Sequence, residues 1–553
     1  MSVNPHISLS KAPGISSDNH IVFIGDRVRV NAAPWILAIG ILMVYLVFPT
    51  KTYYWDGVNF ALSIENSSGF SKSLIHPHHL LYNVFGYAIY HICNAAGVNV
   101  RALQVLQVTN GVLSALCAGL FFRFLLQTFR SVYLSSVLTL LFAFSATWWK
   151  YSTDADSYVP SILLFVICLN LMVDGQKPKP FLVALVHAAS MFMHQLGVFF
   201  YPVIVLGILF QSRELSFRQR ALLVLKFSVT ACSITLAANY YCFHLQTGAF
   251  SVSAFAGWLT TYVRSPNTYS FSFDLWSNVV FTVRGHARLY FGGRLNWLRE
   301  LVSPPIVALL VILAGAILVL VVQFVKDLKS AALTRNSAGK SDLSLIQPGA
   351  LCCLWVGVYL TFLFFWYPYF TPYRLFYLPS LIVLFGIILA RYREVRPLGR
   401  EWYAALFAMA LALSNFLFFI YPLSHVEKNP PLALAMALNS KWAPGTSIYY
   451  ASSSADNELF RYFNPSTRWQ KLSQFEDQVS ESALREIYQR NSSAWLETSA
   501  IEFLKASTVG QSWLAVHTRE GCQYELVNGS YNIKYVQIFP SCENDEGQSG
   551  FCN

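Results

Sequence analysis

The stretch "PWILAIGILMVYLVFPTKTYYWDGVNF" (Pro34–Phe60) decides the class of this protein. Its first half is an uncharged apolar run, long enough at 1.5 Å per residue to cross most of a ~30 Å hydrocarbon layer. Its second half sets Lys51, Tyr53, Tyr54, Trp55 and Asp56 directly beyond that run. Aromatic residues of this kind form belts at membrane interfaces. A carboxylate at such an edge is costly unless it has water, a partner or a task.

The rest of the chain repeats the pattern. Its 553 residues are 55% hydrophobic, 16% aromatic and only 12% charged, where soluble chains carry about 25% charged residues. A soluble fold cannot hide that much apolar surface, so the reading is a polytopic α-helical membrane protein. Apolar runs fall near 34–50, 101–126, 132–149, 159–173, 180–194, 196–210, 221–244, 304–325, 349–366, 376–390 and 402–422, about eleven transmembrane helices. The pair 180–194 and 196–210 turns over at "HQLG". A further apolar helix over 79–97, carrying His91 and Asn94, is read as lying along the interface.

Lys and Arg set the orientation. The segments "KPKP", "RELSFRQR", "KDLKSAALTRNSAGKSD" and "RYREVRPLGRE" share one side when the N-terminus is cytoplasmic, while the opposite short loops hold little beyond Lys51, Lys72, Lys150 and Arg374. Had 79–97 been a full span, every later basic loop would move outside. No cleavable leader is evident in 1–33, which is read as a cytoplasmic segment preceding a transmembrane domain over 34–422. Residues 423–553 form an acidic soluble tail, with 10 Lys and Arg against 14 Asp and Glu, although the whole chain has a net charge of +11. The basic excess lies between apolar spans rather than on one polar face, which speaks against nucleic acid as a partner.

The loops rich in Asp, His, Tyr and Arg all fall on the exoplasmic side. Asp56 either caps a helix through "VNFALSIEN" or acts in catalysis or substrate binding. In "WWKYSTDADSYVPSILL", Asp154 and Asp156 sit two apart, and capping explains only one of them. "SLIHPHHLLYNVFGY" places His76, His78 and His79 around Pro77, with a helix expected from about His78 and His79 and Tyr82 on one face. With His194 these histidines are candidate hydrogen-bond donors to a phosphate or sugar. Interfacial filler and a divalent metal site are the other readings, and the spacing matches no known zinc signature. "TVRGHARLYFGGRLNWLRE" carries Arg284 and Arg288 at i, i+4, sharing a face with His286, followed by Arg294 and Arg299. Guanidinium groups suit a phosphate ligand, and anionic lipid headgroups are the alternative. "WYPYFTPYRLFYLPSL" places Tyr373 and Arg374 at a membrane edge, where Arg374 either snorkels or holds a lipid phosphate.

These features together resemble the GT-C superfamily of integral membrane glycosyltransferases, similar to the protein O-mannosyltransferase and aminoarabinose-transferase type. The resemblance covers about 34–422. It rests on an acid after the first span, an "HP" stretch, acids after the third span, a Tyr/Arg/Pro stretch before a late span, and a soluble domain at the end. It departs from that pattern where Gly57 replaces the second acid of the usual pair and "HPHH" replaces "HPPG". The resemblance implies a polyprenyl-phosphate-linked sugar donor, an exoplasmic acceptor, Asp56 as the base, Asp154 or Asp156 as the second acid, and Arg374 at the phosphate. No organic cofactor is implied and no metal ligands are assigned. The expected location is a bacterial inner membrane. A transporter or flippase of lipid-linked sugars is the rival reading. It predicts paired charges at mid-bilayer and inverted repeats, and no convincing repeat is visible.

The tail reads as a small α/β domain. "GTSIYYASS" is a predicted strand, "ADNELFRYF" and "SQFEDQVSESALREIYQR" are helices, and "SAWLETSAIEFLKAS" passes from strand to helix. "YELVNGSYNIKYVQIF" is a hairpin turning at Asn528-Gly529. Of ten cysteines, Cys522, Cys542 and Cys552 lie in the tail, where Cys522–Cys542 is the expected disulfide. Asn66, Asn491 and Asn528 begin N-x-S sequons.

Overall fold

The computed structural model describes residues 24–173, 179–211, 215–261, 271–292, 346–395, 402–438, 442–451, 455–472, 494–518, 523–528 and 531–538, with single positions at 315 and 322. The run 304–325, Arg294, Arg299, the expected helix over 473–490, the hairpin turn at Gly529 and the tail cysteines lie outside the described residues.

The helices, in order, are α1 (Ile24–Val47), α2 (Trp55–Glu65), α3 (Tyr82–Ala95), α4 (Ala102–Phe129), α5 (Val132–Ala143), α6 (Ala146–Ser152), α7 (Tyr158–Val173), α8 (Pro180–Met193), α9 (Tyr201–Gln211), α10 (Phe217–Thr247) and α11 (Val252–Leu259). They continue with α12 (Leu275–Tyr290), α13 (Ile346–Phe365), α14 (Leu378–Val395) and α15 (Trp402–Asn415). Among the described residues, five helices are long and apolar enough to cross a membrane. The bent pair α5–α6 would make a sixth, and four shorter apolar helices cover the runs beginning at 32, 158, 180 and 195. The chain is a multi-pass integral membrane protein. Eleven spans were expected, and all the expected runs except 304–325 fall on described helices.

Two expected spans are not straight. The run 132–149 bends by 69° between α5 and α6, which turns the end of α6 and the acidic loop after it inward. The "HQLG" reversal is a 3₁₀ turn over Gln195–Phe200, begun by His194, whose Nδ1 accepts the Leu196 N–H at 3.1 Å. The 14-residue α3 spans about 21 Å, and it packs on α2 and α4. It begins at Tyr82 rather than His78. The reason is Pro77: the His79 N–H bonds the His76 carbonyl at 3.0 Å, a β-turn with proline at its favoured second position. The histidines are therefore displayed by a turn and not on a helix.

After α15 the chain runs through a π-helical turn at Phe416–Ile420 and then through α16 (Pro430–Leu438) into the tail. There β1 (Ser447–Tyr450), α17 (Ala455–Phe463), β2 (Arg468–Lys471), β3 (Ala494–Glu497), α18 (Thr498–Lys505), α19 (Thr508–His517), β4 (Gln523–Asn528) and β5 (Tyr531–Ile538) form an α/β unit. The sheet order is β2-β1-β3-β5-β4, parallel across the first three strands and antiparallel beyond. Alternation along β1 separates its faces. Tyr449 packs towards α18 and α19, while Ile448 packs with α16 and α17. That second face continues without a break into Val58, Phe60, Ala61 and Ile64 of α2, Tyr82 of α3 and Leu103 of α4. The tail and the first loop thus share one core. The larger core of the bundle gathers on α4, α5, α7, α8 and α14.

Candidate active site

The site forms where α2, the α6–α7 loop and the 76–79 turn meet. Asp56 is the second residue of α2. It does not cap that helix: the N-cap is Tyr54, and no side chain caps it. Among the described residues no protein group hydrogen-bonds the Asp56 carboxyl, and part of the residue stays open. Enclosure by the surrounding protein, and then the nearby Asp154, push this carboxyl up to about 7.

Gly57 explains how α2 comes so close. A Cβ at that position would stand 2.2 Å from the Ala155 carbonyl oxygen. Only glycine lets the first turn of α2 lie against the acidic loop. The residue that breaks the expected acidic pair is therefore the one that admits this contact.

The two acids of the loop do different things. Asp154 is fully buried, and its carboxylate is saturated. Oδ2 accepts from Lys150 Nζ at 2.6 Å and from the Tyr54 N–H at 3.0 Å, and Oδ1 accepts the Ala155 N–H at 2.9 Å. Lys150 also lies over the Tyr151 ring at 4.2 Å. Asp154 thereby ties the N-cap of α2 to α6. Asp156 is equally buried. Its Oδ1 accepts from the Ser157 N–H at 2.6 Å, and its Oδ2 has no partner among the described residues. Burial and then Asp56 and Asp154 push it well above the usual carboxylate range, against the pull of Lys150 and the Ser157 N–H.

The loop itself is held from α4. Gln107 Nε2 donates to the carbonyls of Thr50 (2.9 Å) and Thr153 (2.8 Å). Asn110 Nδ2 donates to the carbonyls of Asp154 (2.8 Å) and Asp156 (2.7 Å). Two amides one turn apart thus pin both acidic residues. Their signal in the sequence is two amides in an apolar span. Gln107, Asn110 and Ser157 are the residues of this constellation that the sequence did not single out, while Gly57 read only as a missing acid and Lys150 only as an outer basic residue.

His79 lies behind Asp156, with its Nδ1 2.9 Å from Ser157 Oγ and 3.2 Å from the Met193 carbonyl. His76 stacks on it at 5.1 Å and His194 meets it edge-on at 4.7 Å. His79 and Tyr82 both pack on Phe60 of α2, although the helical face they were expected to share does not form, because His79 lies in the turn before α3. Burial pushes His76 down to about 4, and burial with His76 pushes His78 down to about 3. These rings are neutral near pH 7, so they offer hydrogen bonds rather than charge. Among the described residues, no three His, Cys, Asp or Glu side chains converge as metal ligands would.

Tyr373 closes the far side, 5.7 Å from His194 and stacked on Trp366 at 5.6 Å. Arg374 turns away from it and is only 1% exposed. Its Nη1 donates to the Phe370 carbonyl at 2.9 Å and its Nη2 to that of Pro368 at 2.5 Å, while Nε has no acceptor among the described residues. It holds a turn in which Tyr367 takes a left-handed φ of 66°, a strained conformation for a non-glycine residue. The guanidinium lies on Gly285 of α12, where a Cβ would meet its Cζ at 2.3 Å. Arg284 and Arg288 are exposed on the outer side of that helix. His286 departs from their face and turns inward, with its Nε2 3.0 Å from the Tyr377 hydroxyl.

One end of the bundle therefore presents an open, partly protonated carboxylate, a wall of neutral histidines and tyrosines, and guanidinium groups further out. This arrangement can take a proton from a hydroxyl and accommodate an anionic leaving group.

No known protein-family profile matches this chain, and no curated protein sequence matches it. Solved structures do. ArnT from Cupriavidus metallidurans bound to undecaprenyl phosphate superposes with a TM-score of 0.58 at 10% identity, covering 92% of this chain and 98% of that one. The apo state of the same protein gives 0.57 at 12% identity over the same shares. An Archaeoglobus fulgidus oligosaccharyltransferase in complex with zinc and sulfate gives 0.44 at 12% identity, over 85% of this chain and 68% of that one. The chain has the fold of the ArnT structures.

Proposed function

We propose that this protein is a glycosyltransferase that moves a sugar from a polyprenyl-phosphate donor to an acceptor hydroxyl on the exoplasmic face, with inversion. The observation that carries the reading is the contrast among three acids. Asp154 is saturated by donors and Asp156 is sealed, whereas Asp56 keeps an open carboxyl raised to about 7. A general base works best with a pKa near the operating pH. The ArnT fold supports the donor class, since ArnT itself binds undecaprenyl phosphate.

In this mechanism Asp56 takes the proton of the acceptor hydroxyl. The oxygen attacks the anomeric carbon, the bond from that carbon to the phosphate oxygen breaks, and the electron pair leaves on the lipid phosphate. Arg284 and Arg288 supply positive charge where that phosphate departs, and the Arg374 guanidinium lies on Gly285 of the same helix. His76, His79, Tyr82, His194 and Tyr373 line the sugar side. Asp154 holds the start of α2 through the Tyr54 N–H and keeps the acidity of Asp56 low, with Asp156 as the second acid of the loop. No cofactor enters the scheme. The bundle over 34–422 lies in a bacterial inner membrane, and the tail over 423–553 faces outward.

The test is purified protein incubated with radiolabelled polyprenyl-phosphate sugars, with identification of the labelled product. Asp56→Asn keeps the side-chain size and should cost about 10²–10⁴-fold in transfer rate without lowering the melting temperature. A fully active Asp56→Asn enzyme would falsify the assignment of the base.

A further inference from the structure

The tail grips the far end of the helix that carries Asp56. Glu65 closes α2, and Arg101 is the N-cap of α4. Arg101 Nη2 donates to Glu65 Oε2 at 2.7 Å and its Nε to Oε1 at 2.9 Å. Tyr462, nearly four hundred residues away on α17, completes the knot. Its ring lies 3.9 Å under the Arg101 guanidinium carbon, its hydroxyl donates to Glu65 Oε1 at 2.9 Å and accepts the Leu103 N–H at 3.0 Å, and its carbonyl accepts from Arg101 Nη2 at 2.9 Å. The Ala102 N–H donates to the same Glu65 oxygen at 2.8 Å.

The loop is held at its other end too. Asn429 Nδ2 donates to the Lys51 carbonyl at 2.7 Å, and the Lys51 N–H bonds the Leu423 carbonyl at 2.6 Å. Between these points α2 is a rigid rod of about 14 Å from Asp56 to Glu65, pressed on the Ala155 carbonyl through Gly57. A tilt at one end of such a rod moves the other.

We propose that Tyr462 is a positioning residue: with Glu65 and Arg101 it fixes the angle of α2, so that the C-terminal domain sets where Asp56 stands relative to the acidic loop. This is a standing clamp and not a moving lid, because one continuous core joins the domain to α2. The proposal rests on the reading of Asp56 as the base. Among the described residues, the groups that act on Asp56 or are acted on by it are Asp154, Asp156 and Tyr151, with Lys150 entering through its pair with Asp154. None belongs to the tail, so any effect of Tyr462 on Asp56 must pass through the position of α2.

Tyr462→Phe removes the hydroxyl and keeps the ring on Arg101. Two readouts are needed. The protonated-carboxyl infrared band that vanishes in Asp56→Asn is titrated with pH in the wild type and in Tyr462→Phe. Loosening α2 should admit water and carry Asp56 away from Asp154, lowering the midpoint by about one unit. Transfer should slow by about 10- to 100-fold in kcat, the scale of a small misplacement, with KM for the donor unchanged. Glu65→Gln, which keeps the shape and removes the charge, gives the same pair of readings from the other side of the knot. An unchanged midpoint together with an unchanged kcat in a folded variant would overturn the proposal. If the wild type transfers no sugar, the functional reading fails, while the infrared midpoint still decides whether Tyr462 positions Asp56.

Discussion

Replacing Gly57 with alanine tests the geometry of the site with a single methyl group. The new carbon would fall 2.2 Å from the Ala155 carbonyl oxygen and 3.1 Å from both its carbonyl carbon and its Cβ. Carbon–oxygen contacts in proteins settle at about 3.3–3.6 Å, so the groups must separate by roughly 1 Å. Neither side gives easily. The loop is pinned by Asn110 through the carbonyls on either side of Ala155, and α2 is tied by Asp154 to the Tyr54 N–H. Overpacking of this kind costs about 1–3 kcal/mol, and a displacement near 1 Å at a reacting group costs about 10²-fold in rate. The assay is transfer to acceptor beside a thermal melt of the purified protein. Gly69→Ala is the control, since nothing lies within 4 Å of a Cβ there, and it should behave as wild type in both. A Gly57→Ala enzyme with wild-type rate and melting temperature would show that α2 does not need this contact, and the reasoning that places Asp56 would fall.

Further outcomes follow from the same site. With Asp56 at about 7, kcat should rise with pH through that value and fall to about one-hundredth of its plateau at pH 5; a rate flat from pH 5 to 8 would exclude Asp56. Because the folded value lies above the unfolded one, the stability linked to this group is full below about pH 4 and is lost as pH climbs through about 7. Asp56→Asn should accordingly melt higher than wild type at pH 8 and no higher at pH 4. Lys150→Met leaves the fully buried Asp154 carboxylate without its cation, and a loss of about 3–5 kcal/mol is expected; near-normal melting would mean the pair is dispensable. Arg374→Lys cannot reach both the Pro368 and Phe370 carbonyls, so it should destabilise nearly as much as Arg374→Ala, and full rescue by lysine would show that charge alone is needed. Cysteines placed at Ser68 and Ser453 should react with an impermeant reagent from outside and one at Ser337 should not; the reverse pattern would invert the topology.

Much of the architecture was legible locally. Apolar runs announce helices because hydrocarbon forces every backbone group to be satisfied within its own segment, and every expected run except 304–325 falls on described helices. The tail strands β1 and β3 and the β4–β5 pairing followed from β-branched and aromatic runs and a short turn, whereas the short β2 and the helix α19 carried too little pattern to be seen. Asp56 stood out because a carboxylate at the end of a span demands a reason. The three-dimensional arrangement decided the rest. Pro77 was readable as a helix start or as a turn, and only the His76–His79 bond settles it. Asp154 and Asp156 look alike in sequence. Their difference comes from Lys150 one turn back, the Tyr54 N–H a hundred residues away and the amides of α4. Gly57 reads as a missing acid until Ala155 is seen against it, and Tyr462 reads as one aromatic among many until it closes on Glu65. Hydropathy and propensity are properties of neighbours along the chain. The angle of α2, the burial that raises Asp56 and the company each acid keeps arise between segments distant in sequence, and packing alone assigns them.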